Sequence, residues 1–290
     1  MRRFFLESAT GDRYDLNGSR GVFATDPTGL GFTAGTGYAN LRNGFYSETR
    51  LDNVPQATVG LTLNFVRPGQ YAKYRELFDW LLRAASPLLL LYDVGDGNLY
   101  RRQVRLEYVN KTEIALNGLL VCALSLKALS PWYLATDTVL RLRGSVGASL
   151  RYTYRYTQDL RYGTDSRAAA SANVTGAGHI PASFLVRAPG PLEYPVLSLR
   201  GISSGKIYGR CSVGGTVEQG STLILSTRYR DSYCAVEDET GQVQDILNSV
   251  DLTDDPFFHA PVSEDSVLEL NADGEVDGAT AEINYYYWSV

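Results

Sequence analysis

The sequence predicts a mainly β protein with one helix, an N-terminal α+β domain followed by an all-β domain. Three observations carry that prediction. The stretch from Gln70 to Tyr92 joins an apolar repeat at intervals of three and four to a short apolar run. Just before it, Thr58 to Val66 alternates apolar and polar residues with the two-residue period of a half-buried strand. From Pro181 onward, short strand-like runs alternate with Gly, Pro, Asp and Asn clusters, the rhythm of a β-sandwich.

Composition sets the outer bounds. A chain of 290 residues, 44% hydrophobic and 20% charged, suits one large all-β domain or two of ordinary size. Its net charge of −5 lacks the basic excess of a protein that grips nucleic acid. The first residues, MRRFFLESATGD, do not read as a secretory apolar segment, and the Leu88–Leu91 run is far too short for a membrane span. Cys122, Cys211 and Cys234 lie far apart, with no CxxC. An odd number argues against a disulfide framework and for a reducing folding compartment. Cys122, among apolar strand residues, reads as a small buried hydrophobe. Cys211 and Cys234 are the two that could meet across a sheet.

Taken in order, Arg3 to Leu6 and Arg13 to Leu16 form a hairpin around Ala9-Thr10-Gly11-Asp12. Gly21, Gly29, Gly31, Gly35, Gly37 and Gly44 then interleave with Phe23, Phe32, Tyr38, Phe45 and Tyr46, which reads as turns and bulges in a β region where aromatics pack against bare backbone. A phosphate-cradling loop fails there, for want of a P-loop lysine and of strand–glycine–helix order. Val59, Leu61, Leu63 and Phe65 give the next strand its buried face. The helix follows, opened by the break at Arg67-Pro68-Gly69, with Tyr71, Tyr74, Leu77, Phe78, Leu81 and Leu82 as its apolar stripe. Ala84-Ala85-Ser86-Pro87 ends it, because the residue before a proline is pushed out of the helical region. The strand Leu88–Tyr92, the polar turn Asp93–Asn98, and a return through Tyr100 to Tyr108 follow. A second turn at Asn110 to Glu113 leads to the strand Leu119–Leu129 and the closing Ser130-Pro131-Trp132-Tyr133. Residues 1–135 thus make one domain, its helix covering a sheet.

Residues 136–290 make the second domain, with 136–178 as linker and leading strand. Arg151 to Tyr162, RYTYRYTQDLRY, resembles the platform of a single-strand nucleic-acid binder, but an exposed strand with aromatics on one face explains it more simply. The strands expected next are Phe184–Arg187, Val196–Arg200, Ile207–Ser212, Thr222–Thr227, Tyr233–Glu237, Val243–Leu247, Val267–Leu270 and Thr280–Trp288.

Chemistry is sparse. His179 and His259 stand far apart, without the spacing of a metal pair. No GxSxG elbow is present, and carboxylate clusters such as Glu237-Asp238-Glu239, Asp254-Asp255 and Glu264-Asp265 are unremarkable in a chain with 32 acids. Asn271, Asp273, Glu275, Asp277 and Glu282 do fall at the ligand spacing of an EF-hand loop. Val276 occupies the position that needs glycine and no helices flank the window, so it reads as an acidic hairpin turn. No catalytic, cofactor-binding or metal residues are assigned.

One resemblance gathers these pieces. The alternating strand Val59–Phe65, the helix YAKYRELFDWLL, the run SPLLLLY, the return YRRQVRLEYV and the strand GLLVCALSLKALSPWYL resemble the N-terminal domain of distal tail proteins from long, flexible-tailed bacteriophages. The second half, led by YRYTQDLRYG, is similar to that family's galectin-like β-sandwich. The resemblance implies a structural protein without catalytic residues or cofactors, in a phage tail or a prophage-derived particle. In it the N-terminal domain builds a hexameric ring that joins the tail tube to tail-tip or baseplate proteins. It further implies a place at the distal end of the tail, assembly in a host cytoplasm, DNA only as passing cargo, and no membrane. In some members the outer domain carries carbohydrate-binding insertions, for which this chain has no room. The alternative is a carbohydrate-binding β-sandwich module for host attachment, and an enzyme such as a glycoside hydrolase has least support.

Overall fold

In the computed structural model the chain divides into two compact units, Met1–Thr136 with Tyr286–Val290, and Asp137–Tyr285. The structure describes residues 2–33, 36–40, 46–50, 54–135, 138–145, 167–229, 231–253, 255–273 and 276–290. The Arg151–Tyr162 stretch, Gly35, Gly44, Phe45, Asp254 and Glu275 of the acidic window lie outside the described residues. Among the described residues the protein is mostly antiparallel strands with a single α-helix, Gln70–Arg83, as the sequence predicts.

The first unit is built on one antiparallel sheet in the order Arg13–Asp15, Arg3–Glu7, Leu88–Asp93, Leu99–Ile114, Leu120–Ala128, Thr58–Phe65, Val22–Thr28. A bridge between Asn17 and Phe23, with Ala24 N donating to the Leu16 carbonyl at 2.8 Å, draws the two edges together, so the sheet curls. Val59, Leu61, Leu63 and Phe65 are all buried, because the two-residue period sends alternate side chains to one face. Cys122 is buried beside them, with its thiol pushed up chiefly by burial.

Two expectations are corrected in this unit. Asn110 to Glu113 is no turn. The strand runs unbroken as Leu99–Ile114 and pairs with Leu120–Ala128, with irregularities between Leu106 and Tyr108 and between Lys111 and Ile114 absorbing the polar residues. The turn comes later, where Gly118 takes a positive φ of 79°. The glycine-rich region is a β region, as expected, with ladders between its turns. Val22–Thr28 pairs with Thr58–Phe65, Phe32–Thr33 with Val54–Pro55, and Thr36–Asn40 with Tyr46–Arg50.

The helix buries Leu77 and Leu81 of the expected stripe, but adds Gln70 and Trp80 and leaves part of the stripe outside. Gln70, Leu77, Trp80 and Leu81 face the sheet, whereas Tyr71, Phe78 and Leu82 are exposed. Trp80 decides the rotation. Its ring lies 5.5 Å from that of Tyr14, and its indole N–H donates to Asp12 Oδ2 at 2.6 Å. A large ring with a satisfied N–H outweighs the smaller gain from burying Leu82 in its place.

Arg102 occupies the core of this unit at 2% exposure. Its Nε donates to the Ser130 carbonyl and its Nη2 to the Gln56 carbonyl, each at 2.7 Å, and the guanidinium lies 5.5 Å from the Trp132 ring centroid. Burial pulls its pKa down to about 10. Its planar fork suits this task, reaching two carbonyls in different segments at once.

The second unit has two antiparallel sheets. One runs Thr138–Arg141, Thr280–Tyr287 (through its residues up to Tyr285), Ile180–Pro189, Thr222–Arg228, Asp231–Glu237, Val243–Asp245. The other runs Arg143–Ser145, Arg167–Val174, Ser266–Asp273, Leu192–Gly201, Ile207–Ser212, with Thr216–Val217 beside Leu192–Gly201. The expected strand Val243–Leu247 ends at Asp245 and passes into a short 3-10 turn, Leu247–Ser249.

Candidate assembly surface

The helix carries two stripes. At about 100° per residue, Tyr71, Phe78 and Leu82 lie along one line, roughly a third of a turn from the buried Leu77. Tyr71 and Phe78 are each 40% exposed and Leu82 67%. Tyr74 spans the two stripes, its ring 5.8 Å from buried Phe65 and stacked at 6.2 Å on Phe78. The outer stripe is therefore anchored to the core through its aromatic neighbours.

The hairpin of Leu99–Ile114 and Leu120–Ala128 extends this surface. Gln70 Nε2 donates to the Gly118 carbonyl at 2.7 Å, fixing the start of the helix to the hairpin turn. Tyr71 donates its hydroxyl to Glu113 Oε2 at 2.5 Å, while Lys111 Nζ lies 3.1 Å from Glu113 Oε1 and 5.1 Å from the Tyr71 ring centroid. The Tyr71 hydroxyl and Lys111 ammonium hold the Glu113 carboxyl below its usual range, and Glu113 in turn raises both partners. Ile114 and Leu116 stand exposed beside this network, Leu116 completely. A run of exposed apolar side chains on a hydrogen-bonded frame is the mark of a contact surface.

The residues weighed earlier for chemistry do not converge. His259 stacks on Tyr229 at 4.4 Å and its pKa is lowered, chiefly by burial. Glu264 serves its own unit, accepting hydrogen bonds from Ser203, Ser204 and Tyr208, which hold its carboxyl down at about 2. Glu282, the last position of the acidic window, pairs with Arg228 at 2.9 Å. Among the described residues no group of three or more His, Cys, Asp or Glu is placed to hold a metal ion. Among the described residues no helix is long and apolar enough to cross a membrane. The surface that the sequence does not reveal is the outer stripe itself, which the apolar repeat merges with the buried one.

Residues 3–129 match the family described as the distal tail protein, N-terminal domain. This defines the class of protein, a structural component of a phage tail tip. Over those residues the chain is similar to the distal tail protein family. The fold extends the likeness to the whole chain. A chain of the phage P2 baseplate in its activated conformation with calcium superposes with a TM-score of 0.62 at 15% identity, covering 100% of each chain. The SPP1 Dit protein gives a TM-score of 0.63 at 10% identity, covering 97% of this chain and 98% of its own. No curated protein matches the sequence.

Proposed function

We propose that this protein forms a hexameric ring at the distal end of a long, flexible phage tail. There it joins the tail tube to the tail-tip or baseplate proteins. The match over residues 3–129 carries this reading. In the ring, the first unit supplies the subunit contacts through the outer helical stripe and the hairpin turn. The second unit, read as a galectin-like sandwich, serves as the outward attachment platform for neighbouring proteins. The role is structural, without a catalytic step, and the ring assembles in the host cytoplasm with DNA as passing cargo. A ring needs a heterologous interface closed by rotation, and an exposed apolar stripe on one element can meet a different patch on the next copy.

The test is mass by light scattering on the purified chain, with negative-stain images of the same fraction. A closed ring near six times the 31.9 kDa chain is the expected result. Phe78→Glu combined with Leu82→Glu should shift that mass toward the monomer and leave the circular dichroism spectrum unchanged, since both side chains are exposed. A monomer at every concentration, alone and with a tail tube protein, would remove the ring from the reading.

A further inference from the structure

The second unit holds two thiols that assembly does not use. Cys211 lies in Ile207–Ser212 on one sheet and Cys234 in Asp231–Glu237 on the other, and both are buried. The backbone brings them to the same end of the unit. Ile246 N donates to the Cys234 carbonyl at 3.0 Å, and Asp251 N donates to the carbonyl of Ser212, next to Cys211, at 2.9 Å. Val250 bridges Val213. The short turn Leu247–Ser249 therefore crosses from one sheet to the other beside both cysteines. The two buried thiols lie close enough to act on each other's titration.

From this juxtaposition we propose that Cys211 and Cys234 are a cross-linking site, open in a reducing compartment and closed to an inter-sheet disulfide by a small-molecule disulfide. The interaction between the two thiols favours an order of events. It raises the pKa of Cys211 and lowers that of Cys234, so Cys234 is the first nucleophile. The Cys234 sulfur, having lost its proton, attacks one sulfur of the small disulfide and releases one small thiol, which takes up that proton. The Cys211 sulfur then attacks the Cys234 sulfur of the mixed disulfide and releases the second thiol. Two cysteine thiols are oxidised and one small disulfide is reduced to two thiols, so atoms and electrons balance. The way in is the edge strand Val243–Asp245, all three residues exposed, which pairs with Ala235, Val236 and Glu237 beside Cys234. Short edge strands are among the first elements to open. The chemistry depends only on this unit and stands apart from the ring.

The experiment equilibrates the full chain with mixtures of oxidised and reduced glutathione, in buffer and in mild urea. Free thiols are then alkylated under denaturing conditions and the intact mass is read. The expected result is the joint loss of two of the three alkylatable thiols, with Cys122 still alkylated and a peptide pair linking Cys211 to Cys234. A Cys122→Ala variant should oxidise in the same way. Three alkylatable thiols persisting through the series would overturn the proposal. A stable glutathione adduct on one cysteine, or a link through Cys122, would overturn it equally.

Discussion

The two units place their exposed apolar and polar groups differently. In the first, Tyr71, Phe78 and Leu82 line up along one helix beside Ile114 and Leu116 of the hairpin. In the second, the exposed large apolar residues Val139, Tyr194, Ile202, Ile207, Tyr229, Val243, Leu247 and Leu252 are spread over several strands and turns. Polar side chains bind the turns there, as Asp93, Asp96 and Asn117 do in the first unit. Glu264 gathers Ser203, Ser204 and Tyr208, Asp238 accepts from Thr240 and Gln242, and Asp251 accepts from Thr253. Scattered apolar side chains need no partner to explain them, whereas an aligned stripe does. The first unit therefore presents an aligned apolar stripe that the second lacks. All three tryptophans, Trp80, Trp132 and Trp288, belong to the first unit, so their fluorescence reports that unit alone.

The sharpest break comes at Arg102. Arg102→Ala leaves the carbonyls of Gln56 and Ser130 without their donors and opens a cavity beside Trp132. We expect a loss of about 4 kcal/mol from the first unit, followed by tryptophan fluorescence in urea. Arg102→Lys keeps a charge but loses the fork, and should cost about 2 kcal/mol. The two helical stripes give the next largest contrast. Leu77→Ala should destabilise by about 3 kcal/mol, and Leu82→Ala by no more than about 0.5 kcal/mol, measured by the same transition. Equal losses at the two positions would mean that the outer stripe is core and carries no contact surface.

These residues also show which parts of the fold could be read in the sequence. The strand Thr58–Phe65 was legible because one-sided burial leaves a strict two-residue period. The helix was legible by its existence but not by its face, because Trp80 is fixed by Asp12, 68 residues earlier. A local repeat cannot register such a partner. Arg102 reads as a surface charge in YRRQV, and only the arrival of two remote carbonyls makes it a core residue. Val22–Thr28 was hidden by its own Asp and Pro, which it tolerates beside an irregularity between Thr25 and Thr28. The Cys211–Cys234 contact depends on two sheets meeting, a relation that spacing along the chain does not encode.

Glu264 offers a test confined to the second unit. Its carboxyl is held down at about 2 by hydrogen bonds that favour the charged form, below the ordinary glutamate value of 4.5. A depressed acid contributes stability above its unfolded pKa and loses it as pH falls toward the folded value. The difference between the wild type and Glu264→Gln, read by circular dichroism melting, should be constant above about pH 5 and shrink between about pH 5 and pH 2. The tryptophan-detected transition should not differ between the two proteins. A shift there would contradict the assignment of this network to the second unit alone.

The smallest effect expected concerns Tyr14, whose hydroxyl is fully buried without a hydrogen-bond partner among the described residues. Burial, reinforced by the nearby Glu76 carboxylate and opposed by Arg20, raises its pKa to about 12. Removing an unsatisfied buried hydroxyl while keeping the ring against Trp80 should be neutral or stabilising. Tyr14→Phe should gain up to about 1 kcal/mol at neutral pH. Because the folded pKa lies above the ordinary tyrosine value of 10, the folded state holds this proton longer than the unfolded chain does. The wild type must therefore lose stability as pH rises from about 10 toward 12, and Tyr14→Phe must be spared that loss. The gap between the two proteins should thus widen in alkali, as tryptophan fluorescence can follow. A Tyr14→Phe protein less stable at neutral pH would mean that the hydroxyl has a partner after all, and that this core is satisfied as fully as the loops of the second unit.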